Sequence, residues 1–480
     1  MGGNYEKDLF RHLQETMEKV DHLTNEITTL RKEHAKKIHA LESKIQRLEK
    51  ENQALKTENQ KLKDIINKNS GNSSKPPSSD GFKKIQNSRE KSGKQPGGQP
   101  GHRGNIPILF KSPTHIEDIK TEKCKCGGAV KYSGEYKAKQ LVDIEITTSI
   151  IEYREHEGVC SCCGSLVRNH APVNDIITYG NNLKSFSAML SLEGMVSINR
   201  IKQMLCELTG GQLNLSEGTI SKWNNDLSLR VEPAISAIKE NLLTAPVLNK
   251  DETGIRINKA LHWFHVLGNA RYTLYTSHKK RGNDADKAMD ILPAYGGVLV
   301  HDHLVGLYDF TCLHAECNAH ILRYLKAVIE SKERRWAKAM IKLLLEAKAA
   351  VESEKPPDPD KIQEIRRRYD EILEHGSKEF LKDKEPDYNG DDMKLLRRMQ
   401  KYKTEHLRFV SDPTVPFDNN QAERDLRMIK AKTKISGCFR ASDGGEVFAA
   451  LKSYTSTLRK NGHNIFGGIR AAFTGEPVIC

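Results

Sequence analysis

The stretch Val247-Leu-Asn-Lys-Asp-Glu-Thr-Gly-Ile-Arg-Ile257 decides how the chain is read. Its apolar approach describes a β-strand that delivers a carboxylate, Asp251, to a place where chemistry can happen. The runs Leu261-His-Trp-Phe-His-Val-Leu-Gly268 and Tyr272-Thr-Leu-Tyr-Thr276 continue it as two further β-rich segments, a three-strand meander. A helix-length piece with apolar Ala285, Ala288, Met289 and Leu292 follows, and then a fourth apolar run, Gly297-Val-Leu-Val-His301, ends at Asp302. Two strands of one sheet therefore each deliver an acid. On the residues alone a plainer reading stays open: Asp, Thr and Gly favour turns, so Asp251 to Gly254 can be a hairpin turn and Asp302 a strand cap.

A chain of 480 residues has room for roughly three or four compact units. Its net charge of +13 suggests a polyanionic partner, and two stretches hold nearly all of it. Residues 69–105 carry seven Lys or Arg against two acids, and residues 424–470 carry ten against three. A solvated face is the plain alternative for each. No signal peptide opens the sequence, and no apolar run approaches the ~18 residues of a membrane span. A cytoplasmic protein at the nucleoid, with no membrane contact, is the expectation. Ten cysteines in that compartment point away from disulfides, so clustered ones are metal candidates.

From Phe10 to Ile66 a heptad runs unbroken, with Leu13, Val20, Ile27, His34, Leu41, Leu48, Leu55 and Leu62 at d. Asn52 and Asn59 fall at a, where a parallel dimer pairs Asn with Asn, so residues 5–68 read as a parallel dimeric coiled coil. Residues 69–106, rich in Ser, Pro, Gly and Lys, read as a basic flexible linker. Residues 107–172 hold Cys124-Lys-Cys126-Gly and Cys160-Ser-Cys-Cys163-Gly, separated by strand-like sequence. Four thiolates suit tetrahedral Zn²⁺ and glycine permits the turn behind each pair, so Cys124, Cys126, Cys160 and Cys163 make a zinc ribbon with a structural zinc. Cys162 competes with Cys163 as a ligand, and the first pair is spaced C-x-C where C-x2-C is usual.

Residues 173–240 read as helical, and Asn199 to Leu227 have the proportions of a helix-turn-helix, with Ser221, Lys222, Asn224 and Asn225 on or near the exposed face of its second helix. A simple helical hairpin is the alternative. From Leu313 onward a helix-rich region begins. Cys312, His314, Cys317 and His320 suggest a second metal, but the spacing fits no common zinc motif and Cys317 with His320 can simply pack on one helix face. Residues 330–410 form a helical insertion and residues 437–480 a basic helical end. Between them Phe417-Asp-Asn-Asn-Gln-Ala-Glu-Arg424 starts a helix with Glu423 in its first turn, where a capping box with Asn420 is the alternative use of that glutamate.

An acid on the first strand, an acid ending the fourth and a glutamate on a late helix is the layout of ribonuclease-H-like nucleases and transposases with a DDE triad. The sequence closely resembles the insertion-sequence-66 family of bacterial transposases. The resemblance rests on Ser74-Lys-Pro-Pro-Ser-Ser-Asp80, Gly97-Gly-Gln-Pro-Gly-His102, the cysteine pairs, Asp251-Glu-Thr-Gly254, Arg281-Gly282, His301-Asp302, Cys317-Asn-Ala-His320, Asp418-Asn-Asn-Gln-Ala-Glu-Arg424 and Ser442-Asp-Gly-Gly445. It implies that Asp251, Asp302 and Glu423 are the catalytic carboxylates, holding two Mg²⁺ or Mn²⁺ ions roughly 4 Å apart for phosphoryl transfer. The expected fold is multidomain: coiled coil, zinc ribbon, helix-turn-helix, and an α/β ribonuclease-H-like domain over residues 241–329 and 411–436, interrupted by the insertion.

The expected function is a DNA transposase that binds the element's terminal inverted repeats and catalyses Mg²⁺-dependent strand cleavage and transfer. Lys222 and Asn225, and further on Arg424, Arg427, Lys430, Lys432 and Lys434, would meet double-stranded DNA. The partners are element ends, target DNA and further copies of the chain, with accessory proteins of the same element left open. A nuclease that cleaves without joining and a DNA-binding regulator with a dead catalytic fold are the alternatives. Two departures stand out: His303 follows the second aspartate where many members have Gly or an aromatic, and nearby Asp309 is a rival for Asp302.

Overall fold

The computed structural model describes residues 3–67, 108–354, 356–383 and 387–480; the basic linker expected over 69–106 lies outside the described residues. The chain divides into two units, residues 1–86 with 326–333, and residues 87–325 with 334–480. In the first, α1 (Gly3–Asn67) is one helix of 65 residues. No glycine or proline interrupts it after Gly3, so nothing breaks the hydrogen-bond ladder. Its heptad residues Leu13, Leu41, Leu48 and Leu62 remain about half exposed, an apolar seam with no cover among the described residues. No described helix is long and apolar enough to cross a membrane.

From residue 108 to residue 180 there is little regular structure. A hairpin of β1 (Glu157–Val159) and β2 (Leu166–Arg168) is the one sheet element around the cysteine pairs, apart from a bridge between Lys123 and Ala129. The strands expected between the pairs are otherwise not formed. Their alternation is present, but Leu141, Ile144 and Ile150 are exposed and find no partner strand among the described residues.

Four helices follow: α2 (Asn181–Leu192), α3 (Ile198–Leu208), α4 (Glu217–Arg230) and α5 (Glu232–Leu243). Ser216 starts α4 by accepting a hydrogen bond from the Thr219 amide, and Ile220, Trp223 and Leu227 give the helix its buried face. The α3–α4 connection spans Thr209 to Ser216, longer than the three or four residues usual in a helix-turn-helix.

The sheet is built from β3 (Val247–Ile257), β4 (Ala260–Gly268), β5 (Thr273–His278), β6 (Val298–His301) and β7 (Leu313–Glu316), in the order β5-β4-β3-β6-β7. The first three pair antiparallel; β6 and β7 run parallel to β3. The turn of the first hairpin is Asn258-Lys259, both at positive φ, as a two-residue hairpin of this hand requires. Asp251 to Gly254 pair with Val266 to Trp263 inside the strand, so the hairpin-turn alternative for Asp251 falls. β7 corrects the expectation of a helix from Leu313: four residues are too few to show a period, and the strand is set by pairing to β6. Between β5 and β6 lies the short α6 (Asn283–Ala288).

α7 (Asn318–Lys332) leads into helices α8 (Arg335–Ser353), α9 (Pro359–Phe380), α10 (Asp391–Lys401) and α11 (Lys403–Ser411). The chain then returns to the sheet as α12 (Asn420–Ser436), which lies on β3 and β4, followed by α13 (Gly444–Lys460) on β5 and α14 (Ile465–Thr474) on α2. Phe448, Leu451, Tyr454 and Ile469 from the last two helices join one core with Ile255, Phe264 and Leu274 of the sheet and Ile220 and Leu227 of α4. The segments 173–240 and 437–480 thus share their core with the sheet and are not separate bodies.

Two lysines lock this arrangement. Lys432 on α12 donates to the carbonyls of Ser191 and Val196, and Lys452 on α13 to the Leu192 carbonyl and the Glu193 carboxylate, satisfying the C-terminal end of α2. Lys432 is 7 % exposed with no acid beside it, and burial pushes its amine down to about 8. The unfolded chain keeps that proton up to about pH 10.5, so between about pH 8 and 10.5 the unfolded state binds more protons and the folded state gains stability as pH rises. Measured by denaturant unfolding against Lys432→Met, the wild type should gain about 2–3 kcal/mol from pH 7 to pH 10.5. A difference that stays constant over that range would show the amine to be an ordinary, solvated one.

Candidate active site

The register of β3 with β6 sets Val247 beside Val298 and Asn249 beside Val300. Two residues further on, Asp251 within β3 and Asp302 just past β6 come close enough for the charge of Asp302 to act on Asp251. Burial comes first in pushing the Asp251 carboxyl up to about 7, followed by the charges of Asp302 and Glu252. Asp302 is likewise raised, by burial and then by Glu252, against the opposing pull of Lys250 and Arg281. The rival Asp309 is exposed at the end of a short 3-10 helix, Val305–Asp309, and bonded to Asn283.

Glu252, the neighbour of Asp251, is a different kind of acid. Burial would raise it, but Lys250 at 3.0 Å and Arg281 at 2.7 Å outweigh that and hold it below its ordinary range. Lys250, fully buried, also pairs with Asp286 at 3.0 Å. Glu252 is thus neutralised by its own cations, while Asp251 has only the more distant pull of Lys430.

The helix that carries Glu423 is seated by Asn419. Its side chain accepts from Asn249 at 2.9 Å and donates to the Lys250 carbonyl at 2.7 Å, and its amide donates to the Cys317 sulfur at 3.2 Å. α12 makes no side-chain cap, so the capping-box alternative for Glu423 with Asn420 is not realised. Glu423 is left free to point elsewhere. Its carboxylate is a quarter exposed and lies 4.0 Å from Nε2 of His320. Among the described residues, the one group of three or more His, Cys, Asp or Glu donor atoms within 4.8 Å of one another is Cys317, His320 and Glu423. The structure therefore brings Asp251 to Asp302, and Glu423 to Cys317 and His320; it does not close the three carboxylates into one group of that size.

Behind Asp302 lies a network that the sequence did not announce. His303 has a φ of 71°, a backbone region that favours glycine, and its ring is held by Glu316. Glu316 is fully buried, accepting from Tyr308 at 2.6 Å and from Arg398 and bonding His406 at 3.0 Å. Burial would raise this carboxyl, yet His303, His406 and Arg398 hold it far below the ordinary range. The left-handed backbone is a physical reason for glycine at this position. Without a structure, the one available signal for Glu316 was its place two residues before the Asn-Ala-His of the quoted motif.

Cys124 and Cys126 adjoin one another, as do Cys160 and Cys163, and each pair is closed by a turn with a glycine at positive φ, Gly127 and Gly164. Hydrogen bonds from Ser165 and the neighbouring Cys160 push the Cys163 thiol down to about 7. The two pairs are not gathered into one four-thiol group. Arg424, Arg427, Lys430 and Lys434 are exposed along α12. Lys432 departs from that stripe, being buried under α2. At about 100° per residue it faces away from Glu423, which is the signal that would have excluded it. Lys222 and Asn225 are exposed on α4, but Ser221, Asn224 and Asn225 line a cleft of about 690 Å³ shared with Arg200, Arg256 and Arg440, so this face looks toward the α12–α13 loop.

The family described as Transposase IS66 family matches residues 177–447, from just before α2 into the first turn of α13, and a family of unknown function (DUF6444) matches residues 12–106. No curated protein matches. With more than half of its length matched, the chain belongs to the IS66 family of transposases.

Proposed function

We propose that this transposase acts on the terminal inverted repeats of its own insertion sequence, cleaving the DNA strand at the element's end and joining the freed 3′ hydroxyl to target DNA. The observation that carries the reading is the pair Asp251 and Asp302, two partly buried acids, one on β3 and one just past the end of the parallel β6, both held above their ordinary range. Such a pair is relieved by a divalent cation. Mg²⁺ or Mn²⁺ bound there would polarise the scissile phosphate and activate the attacking oxygen, as in other two-metal sites. Asp251 and Asp302 would share one ion, and Glu423 would complete the site for the second from α12. On this reading the sheet and α12 are a ribonuclease-H-like catalytic domain.

The remaining parts bind and assemble. The basic stripe Arg424, Arg427, Lys430 and Lys434 runs along α12 from Glu423 and would neutralise phosphates of DNA leaving the site. Lys222 and Asn225 would add contacts from α4 if α3 and α4 act as a helix-turn-helix. Cys124, Cys126, Cys160 and Cys163 would close a zinc ribbon around a structural Zn²⁺; the paired thiols and their glycine turns fit such an ion. The half-exposed seam of α1 would pair with a second copy of the chain as a parallel coiled coil, Asn52 against Asn52 and Asn59 against Asn59. A regulator without chemistry has no use for the acid pair, which is why the enzyme reading is preferred.

On DNA carrying the element's ends with Mg²⁺, Asp251→Asn or Asp302→Asn should lower nicking and joining by about a thousandfold or more while leaving end binding within about twofold. Glu423→Gln should do the same; near-normal activity in that variant alone would remove Glu423 from the metal site. Nicking without joined product would make the protein a nuclease. Replacing Arg427, Lys430 and Lys434 together by Ala should flatten the salt dependence of DNA binding, and an unchanged slope would place the phosphates elsewhere.

Leu41→Lys with Leu48→Lys puts charge into the α1 seam and should give monomers at micromolar concentration by light scattering. A dimer that survives both changes is held by another surface.

A further inference from the structure

A second cluster of donors sits where the two connections into and out of the helical insertion cross. Cys317 lies between β7 and α7, His320 is in the first turn of α7, and Glu423 is in the first turn of α12. The backbone joins these segments directly: the Asn318 amide donates to the Phe417 carbonyl at 3.1 Å, and the Asn419 amide to Cys317 Sγ at 3.2 Å. Cys317 is 1 % and His320 8 % exposed. A sulfur, an imidazole nitrogen and a carboxylate oxygen thereby stand within 4.8 Å of one another, the first two from one short stretch and the third about a hundred residues on.

Three details distinguish this group from ordinary packing. The His320 ring has a buried Nδ1 with no hydrogen-bond partner, and its Nε2 faces Glu423 across 4.0 Å, too far for a hydrogen bond. The Cys317 sulfur receives the backbone amide of Asn419, the support that a coordinated thiolate is given in metal sites. Glu423 keeps a quarter of its side chain open to solvent, so one side of the group is reachable.

We propose that Cys317, His320 and Glu423 bind a zinc ion, with thiolate, imidazole and one carboxylate oxygen as protein ligands and water in the fourth position. Soft sulfur with nitrogen selects Zn²⁺ over Mg²⁺. With metal–sulfur and metal–nitrogen bonds of about 2.3 and 2.0 Å, tetrahedral donors stand roughly 3.3–3.6 Å apart, so the side chains need to close by about 1 Å. Binding fixes the rotamer of Glu423 from one side. That this orients Glu423 for the acid pair rests on the transposase reading; the zinc site itself does not.

The test is zinc content per chain of the full-length protein by elemental analysis, comparing the wild type with Cys317→Ser, His320→Gln and Glu423→Gln, each checked for folding by circular dichroism. Cys317→Ser and His320→Gln should each lose one equivalent of zinc, whatever the paired cysteines of residues 124–163 retain. Cobalt added to metal-free protein carrying Cys160→Ser and Cys163→Ser should give a thiolate charge-transfer absorption that Cys317→Ser removes. Should Cys317→Ser unfold, His320→Gln, which keeps the Asn419 amide bond to sulfur, carries the comparison. Equal zinc in wild type and His320→Gln, or no cobalt–thiolate absorption dependent on Cys317, would overturn the proposal. Loss of strand transfer in Glu423→Gln with zinc unchanged in Cys317→Ser and His320→Gln would uphold the catalytic reading and sink this one.

Discussion

Asn419 is the residue on which the arrangement of the sheet and its covering helix depends. It is 1 % exposed, and its amide, side-chain oxygen and side-chain nitrogen each have their own partner: Cys317 after β7, and the Asn249 side chain and Lys250 carbonyl of β3. A side chain with both a donor and an acceptor at its tip is needed to bridge a strand in this way, which Asp or Leu cannot do. Each buried group left unpaired would cost about 1–3 kcal/mol. Because Asn419 holds the strand, it does not cap its own helix, and Glu423 one turn on is released from the local hydrogen bonding that glutamates in a first turn often take up.

That anchor explains how a helix returning after a long insertion meets the strand that carries Asp251. It also sets the electrostatics. Lys250 and Arg281 are engaged by Glu252, and Lys250 by Asp286 as well, so these cations are matched by acids of their own. Asp251 and Asp302 keep burial and like charge without such a partner. Asp251 is left titrating near neutrality, a state that an ion of charge two would reverse. Beyond Asp302, His303 in its left-handed backbone is gripped by Glu316, itself fixed by Tyr308, Arg398 and His406. Residues of the insertion thus reach back to hold the turn after the second acid, which ties its helices to the geometry of the site.

What could be read from the residues follows the length of the signal. The meander and the long heptad repeat carry many side chains of one period and appear as three strands and one long helix, and the short fourth strand shows as an unbroken apolar run. The four-residue β7 has no period to show, and the strands expected between the cysteine pairs had the alternation but no partner. Asp251 and Asp302 could be placed because each lies within or just after one local apolar run. The uses of Asn419, Glu316 and the Cys317–His320–Glu423 group were not, because each joins residues from separate segments. Lys432 was misplaced for a smaller reason: a count of basic residues was used where helical phase decides, and phase turns it toward α2.

The central claim is that Asp251 and Asp302 together hold a divalent cation. Calorimetric titration of Mn²⁺ into the metal-free protein at pH 6 and pH 8, in wild type, Asp251→Asn and Asp302→Asn, tests it without DNA. The account predicts that wild type binds more tightly at pH 8, with proton release on binding near pH 6, because Asp251 titrates near 7. It also predicts that either variant loses that binding event. Binding of equal affinity in wild type and both variants, or without any dependence on pH, would contradict it.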